Sequence, residues 1–142
     1  MIAYFDTSAF VKLVVAEAGS KEVARIWDAA SRVASSILLY PEGRAALARA
    51  RRDRRLDRAA LRLAVEDFEA QWAGVERILV SLPLAERAGT LADEHALRGY
   101  DAVHLASAEA VAADDIVFVA ADGPLCAAAR QLGLAVAPIA LG

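Results

Sequence analysis

The chain opens with Ile2-Ala3-Tyr4-Phe5-Asp6-Thr7-Ser8-Ala9-Phe10, an apolar run that ends abruptly on a carboxylate. Residues 2–5 are apolar and do not alternate with polar residues, which is typical of a strand covered on both faces in a parallel sheet. Asp6 then lies at the carboxyl end of that strand, where open α/β sheets place their ligand sites. The alternative is that Asp6 only caps the helix that follows.

Short apolar strands alternate with helices along the rest of the chain, which predicts an α/β fold. We expect a central parallel sheet of four to five strands with helices on both faces, and residues 2–5 as its middle strand. The sequence predicts the other strands at 33–39, 78–80, 116–119 and 135–139. It predicts helices at 9–16, 21–31, 41–52, 58–72, 83–97, from Tyr100 onward, and at 124–132. Gly99 is predicted to be the C-terminal cap of the helix at 83–97.

Length and composition predict one domain over residues 1–142, with a 58% hydrophobic and 25% charged composition. No apolar run approaches the roughly 20 residues that cross a bilayer, and no secretory signal begins the chain. We therefore expect a cytoplasmic protein without a membrane partner. The single cysteine, Cys126, falls in a helical pattern and is expected to be a small buried residue rather than a nucleophile.

Four carboxylates stand just past a predicted strand or in the first turn of a predicted helix: Asp6, Glu42, Asp101 and Asp122. In a parallel sheet such positions converge at one edge. Carboxylates that lie close together repel unless a cation offsets the repulsion, and Mg²⁺ or Mn²⁺ prefers oxygen ligands. Such a pocket suits metal-assisted attack of water on a phosphodiester. If each acid only stabilises its own helix, by about 0.3–1 kcal/mol, no cluster is expected.

Four segments also follow a known pattern. Residues 6–13 match D-[ST]-S-x-hydrophobic, and Glu42 begins a helix after Ser35-Ser36-Ile37. Residues 101–106 match D-A-hydrophobic-H-L-A, and residues 120–129 are similar to T-x-D-x-x-L-x-x-x-A. In this order, over nearly the whole chain, they resemble the PIN-domain ribonucleases, specifically the VapC toxins of type II toxin–antitoxin pairs. Ala120 departs from the pattern, since threonine or serine is frequent there, so support for Asp122 must come from Ser8 or water.

The resemblance implies a single PIN domain with a three-layer α/β/α fold. It implies an endoribonuclease that cuts single-stranded or loop RNA, often tRNA or rRNA, and that a cognate antitoxin inhibits. It makes Asp6, Glu42, Asp101 and Asp122 the catalytic residues and the ligands of Mg²⁺ or Mn²⁺. Ser8 could hold a ligand or cap a helix, and His104 could orient a carboxylate, touch the phosphate or be structural. A homodimer is also expected.

Half of the 16 lysines and arginines fall between positions 44 and 62, although the net charge is −3. This arginine-rich segment could track RNA phosphates, dock an antitoxin or a second protomer, or be a solvated helix pair. We favour RNA contact by Arg44, Arg49 and Arg51, because an acidic centre needs a positive rim. His95, beside two acids, is expected at the surface.

Other classes fit less well. A haloacid dehalogenase phosphatase needs a second aspartate two residues after the first, where this chain has Ser8. A response-regulator receiver needs a late lysine, but the only lysines are Lys12 and Lys21. The non-enzymatic alternative is a catalytically inactive PIN-like module that binds another protein, and the presence of all four acids favours activity.

Overall fold

The computed structural model describes residues 1–111 and 115–140. In these ranges the chain forms a five-stranded, wholly parallel sheet in the order β3-β2-β1-β4-β5, so the first strand is central as predicted. The predicted single domain over residues 1–142 includes 112–114 and 141–142, which lie outside the described residues. The strands are β1 (Ile2–Phe5), β2 (Arg32–Ser36), β3 (Glu76–Ile78), β4 (Ile116–Ala120) and β5 (Ala135–Pro138).

Helices cover both faces of the sheet, which confirms the three-layer α/β/α architecture. Successive residues of β1 point to opposite faces, with Tyr4 in one core and Phe5 in the other, and both are fully buried. The Tyr4 core is built with α5 (Leu82–His95), α6 (Gly99–Val111) and α7 (Gly123–Gln131). The Phe5 core is built with α1 (Thr7–Val11), α2 (Ser20–Ala29), α3 (Leu39–Arg52) and α4 (Arg58–Trp72). None of the helices described is long and apolar enough to cross a membrane.

The segment that delivers Glu42 begins earlier than predicted. The strand predicted at 33–39 ends at Ser36, and the helix predicted from residue 41 starts at Leu39. The reason is local, because the Ser36 hydroxyl accepts a hydrogen bond from the backbone N–H of Leu38 (3.1 Å) and turns the chain out of the sheet. Glu42 consequently lies in the first turn of α3.

Two helix boundaries were also wrong in the prediction. The first helix spans Thr7–Val11 rather than 9–16, because the Asp6 carboxylate caps it through the N–H of Ala9 (2.9 Å). The helix predicted over 83–97, with Gly99 as its C-terminal cap, ends instead at His95, and its cap is Ala96, whose φ of 53° is left-handed. Gly99 is therefore the first residue of α6, not the C-terminal cap of α5.

The remaining boundaries differ by a few residues. Strand β3 lies at 76–78 instead of 78–80. Glu76 pairs with Arg32 of the neighbouring strand β2 (2.8 Å), and Leu79, which was predicted in the strand, is 69% exposed. Cys126 is buried, as predicted.

Candidate active site

Asp6 follows β1 directly and is the most deeply placed of the four acids. It is 4% exposed, and its backbone N–H donates to the carbonyl of Val119 in the neighbouring strand β4 (3.1 Å). Its carboxylate accepts hydrogen bonds from the Ser8 hydroxyl, which lies 2.8 Å from each oxygen, and from the N–H of Ala9. Three contacts fix the carboxylate at the carboxyl end of the central strand.

Ser8 links this carboxylate to the next strand. Its oxygen also accepts a hydrogen bond from the backbone N–H of Ala121 (3.1 Å), just beyond β4. The sequence predicted that Ser8 or water must replace the hydroxyl missing at Ala120. Ser8 contacts both Asp6 and the chain segment that leads to Asp122, and its support of a metal ligand stays a prediction.

Burial raises the pKa of Asp6 from 3.8 to about 6, and the nearby Asp122 adds a smaller contribution in the same direction. His104 and the hydrogen bonds from Ala9 and Ser8 act in the opposite direction. Loss of water is thus the main destabilisation of the Asp6 charge. The sequence reasoning had assigned that destabilisation to repulsion among neighbouring carboxylates, which is the lesser cause here.

Glu42 joins the site through a hydrogen-bonded chain. Its Oε1 accepts from the Thr7 hydroxyl (2.9 Å) and lies 2.8 Å from Nε2 of His104. His104 is 2% exposed, and its Nδ1 lies 2.8 Å from the Tyr4 hydroxyl, which accepts from the backbone N–H of Ser36 (3.1 Å). This series of hydrogen bonds connects β1, β2, α1, α3 and α6.

The partners determine the state of His104. A carboxylate only accepts, so Nε2 carries the proton that is donated to Glu42. Burial raises the pKa of Tyr4, so the phenol keeps its proton and can donate it to Nδ1. These contacts fit two of the roles considered for His104, orienting a carboxylate and being structural, and they leave neither ring nitrogen free to reach a phosphate.

Asp101 and Asp122 share one cation, Arg98. Nε of Arg98 donates to Oδ2 of Asp101 (2.8 Å), and its Nη2 lies 3.7 Å from Oδ2 of Asp122. The guanidinium also lies over the ring of Tyr100, 5.0 Å from its centroid. Asp122 in addition caps α7 through the N–H of Leu125 (2.9 Å). Both acids are therefore compensated by a residue of the chain itself.

The four acids lie near the carboxyl edge of the sheet but are not arranged as a ready ligand set. Within residues 1–111 and 115–140, no three Asp, Glu, His or Cys side chains lie close enough to hold a metal ion. Glu42 is engaged by His104 and Asp101 by Arg98. A shared metal site for all four acids stays a prediction.

None of the three arginines predicted to contact RNA pairs with one of the four acids among the described residues. Arg44 donates to Glu69 (3.1 Å), and Arg49 lies 3.6 Å from Asp53. Arg51 forms no ion pair in the described part of the chain and is partly buried. RNA contact by these three residues stays a prediction. His95, predicted at the surface, is only partly exposed, with 11% of its side chain accessible to solvent.

Sequence reasoning missed three residues that complete the site: Thr7, Tyr4 and Arg98. Thr7 stands next to Asp6, and Arg98 precedes Asp101 by one helical turn, so both carried a signal through their spacing. Tyr4 carried none, because nothing in an apolar strand marks which hydroxyl meets a distant histidine.

Comparisons with known proteins identify the family of the chain. Residues 3–131 match the PIN domain model. The chain is 44% identical over 140 residues to Ribonuclease VapC45 and to Ribonuclease VapC49, from two strains of Mycobacterium tuberculosis, covering 99% of this chain and 97% of each relative.

Solved structures share the fold at low sequence identity. PAE2754 from Pyrobaculum aerophilum gives a TM-score of 0.71 at 20% identity, over 96% of this chain and 83% of that one. VapBC2 from Rickettsia felis, bound to a DNA fragment from its promoter, gives a TM-score of 0.64 at 14% identity, over 98% of this chain and 99% of that one. The fold, the acids at its carboxyl edge and the full-length identity to the two ribonucleases lead to one conclusion: the chain belongs to the PIN-domain family and is a VapC-type member of it.

Proposed function

We propose that this protein is an endoribonuclease toxin that hydrolyses RNA phosphodiester bonds with a metal-activated water. The observation that carries the proposal is the 44% identity, over essentially the full length, to two proteins named ribonucleases. The positions of the acids support it, because Asp6 and Asp122 follow adjacent parallel strands and the Glu42 and Asp101 helices begin at the same edge.

Mg²⁺ or Mn²⁺ fits the chemistry of these donors. Asp6, Glu42, Asp101 and Asp122 offer carboxylate oxygens, the ligands that hard divalent ions prefer. When bound, such an ion lowers the pKa of a coordinated water and stabilises charge on the phosphate oxygens. Asp6 supports the assignment further, because it is a buried carboxylate with no cation paired to it among the described residues.

The chain's own residues prepare the acids for this role. Ser8 and the N–H of Ala9 hold the Asp6 carboxylate in one orientation. His104 and Thr7 together hold Glu42, and Tyr4 holds the ring of His104. Preorganised carboxylates lose little freedom when they bind a ligand, which is how supporting hydrogen bonds raise affinity at metal sites.

The proposed partners are RNA, an antitoxin and a second copy of the chain. The substrate is single-stranded or loop RNA, including tRNA or rRNA, and cleavage leaves a 5′-phosphate and a 3′-hydroxyl. Two structural neighbours are described as a toxin–antitoxin complex from Klebsiella pneumoniae and VapBC2 of Rickettsia felis, which motivates an antitoxin partner here. Co-expression with the product of the neighbouring gene tests that partner, and failure to co-purify would remove it.

The competing function is an inactive PIN-like module that binds another protein. A direct test incubates the purified chain with labelled single-stranded RNA in Mn²⁺ and maps the ends of the products. The wild type and the Asp28→Asn control, which alters an exposed acid in the last turn of α2, close to the start of β2 at the opposite edge of the sheet, should cut the RNA. Asp101→Asn should lose cleavage by orders of magnitude. Intact RNA in every sample would favour the module.

A further inference from the structure

A second group of charges lies beside the acids and consists of Lys12, Glu17 and Arg55. Nζ of Lys12 donates to Oε1 of Glu17 (3.1 Å) and to the carbonyl of Ala18 (2.8 Å). Nη1 of Arg55 lies 3.8 Å from the other Glu17 oxygen, Oε2. Two cations share one carboxylate, so this cationic cluster keeps a formal charge of +1.

The cationic cluster shares a cleft with two residues that hold the acids of the candidate site. The cleft has a volume of about 270 Å³, and its walls include Lys12, Glu17 and Arg55 together with Thr7 and Ser8. Thr7 is the residue that holds Glu42, and Ser8 is the residue that holds Asp6. A chain of phosphates that reaches the acids through this cleft would pass the cationic cluster.

The two cations differ in how free they are to bind a ligand. Lys12 is 4% exposed and is occupied by Glu17 and a backbone carbonyl, so it mainly secures the loop after α1. The Arg55 side chain is 53% exposed, and its only ion pair among the described residues is the long one to Glu17. Its backbone is fixed, because its N–H donates to the carbonyl of Ala50 (2.9 Å). Arg55 is thus held in place at the backbone and available at the guanidinium.

A backbone phosphate is the ligand that matches this chemistry. Acids at the carboxyl edge repel an anionic polymer, so a cation is needed where the polymer approaches. A guanidinium presents a planar fork of donors that binds phosphate through two parallel hydrogen bonds. We infer that Arg55, positioned by Glu17, binds a backbone phosphate of the RNA that enters this cleft. This inference rests on the proposed nuclease function and differs from contact by Arg44, Arg49 and Arg51.

The test compares RNA binding by charge variants on an Asp101→Asn background, which prevents cleavage. The anisotropy of a labelled single-stranded RNA is measured from about 50 to 200 mM salt. Arg55→Gln should weaken binding and lower the slope of log K against log salt by about 0.7, the value for one phosphate contact of a single strand. Arg55→Lys should keep most of the slope. Arg52→Gln is the matched control, because Arg52 is exposed, close in sequence and without an ion pair in the described ranges; it should leave the slope unchanged.

A kinetic comparison separates this role from a structural one. With Asp101 intact, Arg55→Gln should raise KM several-fold and leave kcat near the wild-type value, because a phosphate contact away from the reacting bond acts on binding. Equal slopes for Arg55→Gln and Arg52→Gln would overturn the inference, while cleavage by the wild type would leave the nuclease function standing. RNA that is neither bound nor cut would overturn both. Unchanged RNA binding with loss of antitoxin co-purification would assign the cleft to a protein partner and would also overturn the inference.

Discussion

Replacing Asp6 by asparagine should stabilise the metal-free protein at neutral pH. Asparagine keeps the shape of the side chain and an acceptor for the N–H of Ala9, and it removes the buried charge. Raising the pKa of Asp6 from 3.8 to about 6 costs the ionised folded state about 3 kcal/mol, at 1.36 kcal/mol per pKa unit. Up to about this amount should be recovered in Asp6→Asn.

The stability that Asp6→Asn gains over the wild type should depend on pH in a specific direction. The folded pKa of Asp6 lies above the unfolded one, so between about pH 4 and 6 the folded state binds the extra proton and the wild type becomes more stable as the pH falls. Below the unfolded pKa the carboxyl is protonated in both states and the penalty is gone. The difference in free energy of unfolding between Asp6→Asn and the wild type should therefore be largest above pH 6 and small near pH 4.

Urea unfolding of both proteins in EDTA, at intervals from pH 4 to 7.5, measures this difference. Titrating groups that do not interact with Asp6 contribute equally to both proteins and cancel in the difference. An Asp6→Asn variant that is less stable than the wild type at pH 7.5, or a difference that does not change with pH, would refute the assignment of a destabilising buried charge to Asp6.

Two further substitutions test other parts of the structure. Arg98→Gln removes the cation shared by Asp101 and Asp122. The affinity for Mn²⁺, measured by calorimetry without RNA, should therefore rise roughly two- to fivefold, on the scale of an exposed ion pair. Unchanged or weaker affinity would count against competition between arginine and metal. Gly43→Ala places a methyl group against Cε2 of the buried Phe68. Overpacking should exceed the gain in helix propensity and lower the free energy of unfolding by about 1–2 kcal/mol. Urea unfolding that shows a more stable variant would exclude that clash.

The fold could be predicted because its signals are local and repeated. The apolar run of β1 has no polar face, so both sides had to be covered, and the central position of the strand followed. The ends of the elements were less predictable. The Ser36 hydroxyl ends β2 by accepting a hydrogen bond from the backbone N–H of Leu38. Ala96 takes a left-handed conformation that alanine rarely adopts, where a glycine was expected nearby.

The candidate site could be predicted only in part. Spacing and resemblance identified the acids, because each follows a strand or begins a helix. Their partners depend on contacts between residues far apart in sequence, such as the one between Tyr4 and His104, which are 100 positions apart. The compensation of Asp101 by Arg98 also changes the electrostatic account, because a cation of the chain itself neutralises acids that were expected to need a metal.

Dependence of RNA cleavage on metal is the central claim and can be measured directly. The wild type is stripped with EDTA and assayed on labelled single-stranded RNA, before and after Mg²⁺ or Mn²⁺ is added in excess, beside Asp101→Asn under the same conditions. We expect no cleavage by the stripped wild type, full recovery with either ion, and none from Asp101→Asn. Cleavage by the stripped wild type, or wild-type rates from Asp101→Asn, would contradict the metal-nuclease account and leave the four carboxylates as helix-capping residues.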